Sequence, residues 1–169
     1  MDVTYKKDNY QFILRTSIIL FNKEMDKILL FHVNDKDFYM LIGGKIKELE
    51  TSKEAILREI KEEIGYDNID LEFASISEEF VNAKGYDNHQ INIIYKGIYN
   101  DEIKEDKFTG LEGDWCHYEW IDIKDIETYE IYPKIVKDLV KNPDKKYHTI
   151  EDLIRGNNWY ARKKDFYKE

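Results

Sequence analysis

Cysteine is nearly missing from this sequence of 169 residues. Cys116 stands alone, which excludes a disulfide framework or a cysteine-based zinc site and agrees with a reducing compartment. Proline occurs only at Pro133 and Pro143, and no internal repeat, low-complexity tract or Pro/Gly/Ser-rich linker divides the chain. No apolar run approaches the roughly 20 residues that span a bilayer. The opening MDVTYKKDNY has neither the apolar stretch nor the small-residue cleavage site of a signal peptide, so the expected location is the cytoplasm. Positive charge is also short. Lys and Arg number 26 against 35 Asp and Glu, a net charge of −9, which argues against wholesale binding to a nucleic-acid backbone. Neither a duplex nor a membrane is an expected partner. Only the terminal YARKKDFYKE is locally basic, and it reads as a solvated tail.

What is present suits one domain with a sizeable core: 42% of residues are apolar and 36% are charged. Aromatic and β-branched runs predict strands at Tyr10–Phe21, Lys27–Val33, Phe38–Ile42, Ile69–Val81, Gln90–Tyr99 and His117–Ile121. The loop NAKGYDNH is expected between the fourth and fifth. Pro133 opens a segment with Ile135, Val136, Leu139 and Val140 at helical spacing. The expectation is a single α+β domain over residues 1–169, with a core at about 10–142 and a helical extension over 143–169.

Between these strands lies GGKIKELETSKEAILREIKEEIGY, from Gly43 to Tyr66. Thr51 with Glu54 forms a capping-box pattern, and Gly65 is a natural helix stop. Helical spacing puts Ile56, Leu57, Ile60 and Ile64 on the core stripe and Glu59, Glu62 and Glu63 on the flank beside it. Arg58 is spaced to pair with Glu62, whereas Glu59 and Glu63 have no opposite charge three or four residues away. Each like-charge pair costs roughly 0.2–0.5 kcal/mol, and the helix C-terminus adds a similar penalty. A solvated, salt-bridged face and a divalent-cation site both remain open on this geometry. Gly43-Gly44 allows a sharp turn and close approach to a ligand, with a carbonyl that can reach the same cation. Ala55 leaves room where a larger side chain would block a phosphate.

These residues resemble the Nudix box, G-x5-E-x7-R-E-U-x-E-E-x-G-U, where U is a bulky aliphatic residue. Gly44, Glu50, Arg58, Glu59, Ile60, Glu62, Glu63 and Gly65 occupy its fixed positions, and Tyr66 departs from the aliphatic residue usual at the end. The resemblance extends over roughly residues 10–142. It implies a Nudix fold, a mixed β-sheet sandwiched between helices. It also implies Mg²⁺- or Mn²⁺-dependent hydrolysis of a nucleoside diphosphate linked to another group. Glu59, Glu62, Glu63 and the Gly44 carbonyl are its expected metal ligands. Arg58 is expected to hold the acids and Glu50 to support their loop, while Tyr66 packs. Many relatives pair, so a homodimer is among the expected partners.

Water attack at phosphorus requires a base. Glu59 is one candidate, and a carboxylate beyond the box is the other: Glu112 or Glu119, with Asp114 in the same glycine- and acid-rich loop. Arg15 interrupts an apolar strand and is a candidate phosphate or ribose contact beside Gly43. Tyr39, Phe80, Tyr86 and Trp115 are candidate base-stacking rings, although most aromatic residues belong to a core. His89 precedes a strand as in some Nudix subgroups, but Gln90 follows where they carry glutamate. The proline typical of many ADP-ribose pyrophosphatases just past the box is absent. A non-catalytic Nudix-like nucleotide-binding module is the alternative, disfavoured because the box glutamates are all retained.

Overall fold

The computed structural model describes residues 1–154. Among these described residues there are eleven strands, two α-helices and one 3-10 helix. In chain order they are β1 (Thr4–Lys7), β2 (Tyr10–Asn22), β3 (Lys27–Val33), β4 (Tyr39–Met40), β5 (Ile42–Lys45), α1 (Ser52–Ile64), β6 (Glu72–Ala83), β7 (Tyr86–Tyr99), β8 (Lys107–Phe108), β9 (Cys116–Asp122), the 3-10 helix Ile123–Thr128, β10 (Ile131–Tyr132), α2 (Val136–Lys141) and β11 (Tyr147–Asp152). The strands form one mixed sheet in the order β10-β4-β3-β2-β7-β6-β11, with β1 and β5 beside β2, and β9 pairing β3. This is the expected α+β architecture. No helix among the described residues is long and apolar enough to cross a membrane.

The long β2 strand organises the molecule because it is buried on both faces. Ile18 and Leu20 meet Ile56 and Ile60 of α1, while Ile19 and Phe21 meet Val136, Leu139 and Val140 of α2. A strand covered on both sides reads as an unbroken apolar run rather than an alternation. Full burial of each such side chain stabilises by about 1.5–3 kcal/mol. Parallel pairing of β2 with β7 runs the length of β2, from Tyr10↔Asp87 to Asn22↔Tyr99.

Three expectations change. The loop NAKGYDNH shrinks to a two-residue turn, because Lys84 (φ 53°) and Gly85 (φ 79°) both take positive φ, the backbone that matches the twist of paired strands. The chain after α2 is not helical in its described part. Residues Tyr147–Asp152 form β11, parallel to β6, where a segment rich in Tyr, Thr and Ile satisfies an otherwise open sheet edge. The remainder of the expected helical extension, including the basic tail, lies outside the described residues. Finally, the buried stripe of α1 is Ala55, Ile56, Ile60 and Glu63, with Leu57 and Ile64 only half-buried. The helix is rolled so that an acid, rather than an aliphatic residue, completes its inward face.

Candidate active site

The strand β5 carries both glycines within its pairing to β2, Gly43 opposite Ser17 and Gly44 opposite Thr16. They serve close approach rather than a sharp turn. Gly43 has φ 144°, and a Cβ on it would overlap the Thr16 carbonyl. A Cβ on Gly44 would overlap the Glu59 carboxyl. The helix α1 begins at the expected capping box, with Thr51 accepting from the Glu54 amide, and ends at left-handed Gly65.

Arg58 is the hub of the loop–helix unit. Its Nε and Nη2 donate to the two Glu50 oxygens at 2.7 and 3.0 Å, and Nη2 also donates to the Lys45 carbonyl at 3.0 Å. Nη1 donates to Glu59 Oε1 at 2.6 Å and to Glu62 Oε2 at 3.1 Å. Glu50 additionally accepts from the Lys47 amide at 2.9 Å. The Arg58 hydrogen bonds hold the Glu50 carboxyl down to about 2. Glu59, which has no cation at helical spacing, is therefore paired from the adjacent position.

Glu63 has a different environment. It is 5% exposed, accepting from the Gly43 amide at 3.1 Å and from the buried Tyr118 hydroxyl at 2.7 Å. Burial pushes its carboxyl up to about 8, and the charges of Glu112 and Glu59 push the same way. Glu112 reaches the group because its loop docks on the end of α1: the Leu111 amide donates to the Glu63 carbonyl at 2.8 Å. Gly110 permits this docking, since a Cβ there would overlap the Tyr118 ring. Burial raises the Glu112 carboxyl as well, followed by the charges of Glu59 and Glu62. Asp114 is exposed, and its backbone carbonyl accepts from Asn34.

Glu119 does not join this cluster. Cys116, Tyr118 and Trp120 face α1, so alternation along β9 turns Glu119 to the opposite side. There it accepts from the Tyr39 hydroxyl at 2.9 Å and lies 3.6 Å from His117. Arg15 also faces away from α1, but its Nη2 donates to the Gly43 carbonyl at 3.4 Å. Gly43 thus contacts Glu63 on one side and Arg15 on the other. Beside Arg15 runs a polar row that sequence reading missed. Ser17 donates to Asn92 at 2.8 Å, Asn92 donates to Glu79 at 3.1 Å, and Gln90 donates to the same carboxyl. Its signal was the period-two polar pattern of Ser75, Ser77 and Glu79 against Gln90 and Asn92.

The candidate stacking residues have other contacts. Phe80 stacks on His89, Tyr86 lies under Lys6, and Trp115 meets Phe31 edge-on. Tyr66 takes the packing role expected of it, against Tyr99, and accepts from the Asn100 amide at 3.1 Å.

Among the described residues, no three His, Cys, Asp or Glu side chains converge at ligating geometry. Arg58, Tyr118 and Gly43 hold the acids instead. The donor set nevertheless fits a hard divalent cation, which takes carboxylate and carbonyl oxygen. The bare Cα of Gly44 against Glu59 is a cradle that any side chain would fill.

Residues 12–139 match the NUDIX domain family. The chain is 28% identical over 144 residues to the m7GpppN-mRNA hydrolase of Saccharomyces cerevisiae, covering 85% of this chain but only 13% of that protein's length. Its fold is similar to the dihydroneopterin triphosphate pyrophosphohydrolase of E. coli (TM-score 0.60, 17% identity, 76% of this chain and 92% of that one). It is likewise similar to the NUDIX domain of Shewanella oneidensis NrtR, solved with ADP ribose (TM-score 0.60, 14% identity, 83% and 91% covered).

Proposed function

This chain belongs to the NUDIX domain family, the Nudix hydrolases, and on that premise we propose that it hydrolyses the pyrophosphate bond of a nucleoside diphosphate linked to another group, with Mg²⁺ or Mn²⁺ as cofactor. The observation that carries the reading is the Arg58 hub, which ties Glu50, Glu59 and Glu62 into one unit beside Gly44. Glu59, Glu62, Glu63 and the Gly44 carbonyl would hold the cation. When bound, such an ion neutralises phosphate charge and acidifies a water molecule.

The chain's own groups supply the rest. Glu50 and Arg58 brace the loop–helix unit and hold Glu59 and Glu62 to it by ion pairs. Arg15 supports a phosphate contact, because its Nε is buried and without a hydrogen-bond partner among the described residues, while its Nη2 reaches the Gly43 carbonyl. Glu112 is the favoured base for the attacking water. It is coupled to Glu59 and Glu62 and lies in a solvent-exposed loop, whereas Glu119 is turned to the other face. Water attack at one phosphorus breaks the P–O–P bridge and leaves two phosphate-bearing products. A cytoplasmic setting belongs to the same proposal and is supported by the free, buried Cys116.

The test is incubation with Mn²⁺ and a panel of ADP-ribose, dinucleoside polyphosphates, nucleoside triphosphates and a cap dinucleotide, followed by chromatography of the products. Release of a phosphomonoester supports the proposal. Nucleotide binding without turnover across the panel would favour a regulatory module.

A further inference from the structure

Among the described residues Tyr118 is the only tyrosine with no solvent exposure, and its hydroxyl has no part in the proposed hydrolysis. It sits in the apolar core between β9 and α1, among Ile60, Cys116 and Trp120. A phenylalanine would keep the ring contacts, so the hydroxyl needs its own explanation. It donates to Glu63 Oε2 at 2.7 Å, while the Gly43 amide donates to Oε1 at 3.1 Å. Glu63 is therefore gripped at both oxygens from two strands. Glu59 and Glu62 are held differently, by charge: both accept from the Arg58 guanidinium of their own helix, and Glu62 also lies 3.9 Å from the Lys47 ammonium.

We propose that Tyr118 is a positioning residue of the cation site: by anchoring one oxygen of Glu63, its hydroxyl fixes the carboxylate plane and so sets the protein's affinity for a divalent cation. This inference rests on the reading of Glu63 as a metal ligand. A ligand already held in one rotamer loses less freedom when it binds, which is why hydrogen-bond partners of ligands tune affinity as well as orientation. The same pair anchors the Glu112 loop. The ring of Tyr118 lies where a Gly110 side chain would be, and the Glu63 carbonyl accepts from Leu111 at 2.8 Å.

The experiment is calorimetric titration of Mn²⁺ into metal-stripped wild-type, Tyr118→Phe, Glu63→Gln and double-variant proteins, each first melted without metal to establish folding. Tyr118→Phe should weaken Mn²⁺ binding by about 10–100-fold, the range for loss of such a partner. At saturating Mn²⁺ its kcat should return to within a few-fold of wild type, so the effect lies in metal affinity. In the Glu63→Gln background, Tyr118→Phe should change Mn²⁺ affinity no further, because Tyr118 acts through that carboxylate. A folded Tyr118→Phe protein with wild-type affinity overturns the proposal and leaves the metal site standing. So does a further loss in the double variant, a comparison that still decides the matter if the single variant does not fold. Absence of Mn²⁺ uptake by wild type overturns the underlying metal reading as well.

Discussion

Two groups of acids lie on opposite faces of one sheet and are held by opposite means. Beside α1, Arg58 meets Glu50, Glu59 and Glu62 with charge-assisted hydrogen bonds. Across the sheet, the adjacent Glu79 and Glu151 of β6 and β11 are 5% and 2% exposed and are met by amides. Gln90 and Asn92 donate to Glu79, and the Lys134 amide donates to Glu151 at 3.0 Å. A guanidinium keeps Glu50 ionised, with its carboxyl at about 2. Burial, with Glu79 close by, pushes the Glu151 carboxyl up to about 7. The first group keeps its charge available at the surface, and the second suppresses it inside the fold. The contrast separates acids held as charged groups beside α1 from acids packed into the polar interior across the sheet.

The largest expected difference between the two groups is in turnover. Glu59→Gln should lower kcat by orders of magnitude with little change in the melting temperature, and Glu151→Gln should leave kcat within a few-fold of wild type. Comparable losses in a Mn²⁺-dependent assay would erase the distinction between the two faces.

The next difference is in pH dependence. Glu151 rises from an ordinary value near 4.5 to about 7 in the fold. The folded state therefore keeps a proton that the unfolded state releases. The stability it contributes is full below about pH 4.5 and is lost as pH rises through about 7, on the order of 3 kcal/mol in all. Glu50 has the opposite sign: its contribution is present above about 4.5 and is lost as pH falls through about 2. Urea midpoints of metal-free wild type and Glu151→Gln, compared from pH 5 to 8, should converge at the acid end and separate at the alkaline end in favour of the variant. Parallel curves would refute the assignment.

The smallest effect expected is that of Arg58→Ala on stability. Breaking a buried ion pair costs about 3–5 kcal/mol. Arg58 and Glu50 are 20% and 15% exposed, so water recovers part of that and the loss should be about 2–3 kcal/mol in denaturant unfolding. A change below about 1 kcal/mol, the range of exposed pairs, would mean that the hub positions the acids without holding the loop.

Much of the α1 side could be read before any coordinates. Thr51, Glu54 and Gly65 bounded the helix because caps are local, satisfying amides three or four residues away. Arg58 was assigned to Glu62 by spacing and to the other acids by resemblance. Its bond to Glu59 was invisible to a rule built on the helical step, because a long guanidinium can also reach an adjacent side chain. The inward turn of Glu63 was missed for a related reason. Helical spacing ranks apolar residues toward the core, and only donors from β5 and β9 make an acid acceptable there. Glu119 looked as available as Glu112 in sequence, and strand alternation alone separated them.

The sequence by itself determined the helix and its limits, most of the strands, the family to which the chain belongs and the acids that define the box. All of these rest on periodicity or spacing within about twenty residues. Tertiary structure decided which acid is buried, that Tyr118 and Gly43 hold it, that Glu112 joins the acids while Glu119 does not, and that Tyr147–Asp152 closes the sheet as a strand. Those outcomes depend on contacts between segments tens of residues apart, where register and side-chain direction follow from packing both faces of β2 at once rather than from any local pattern.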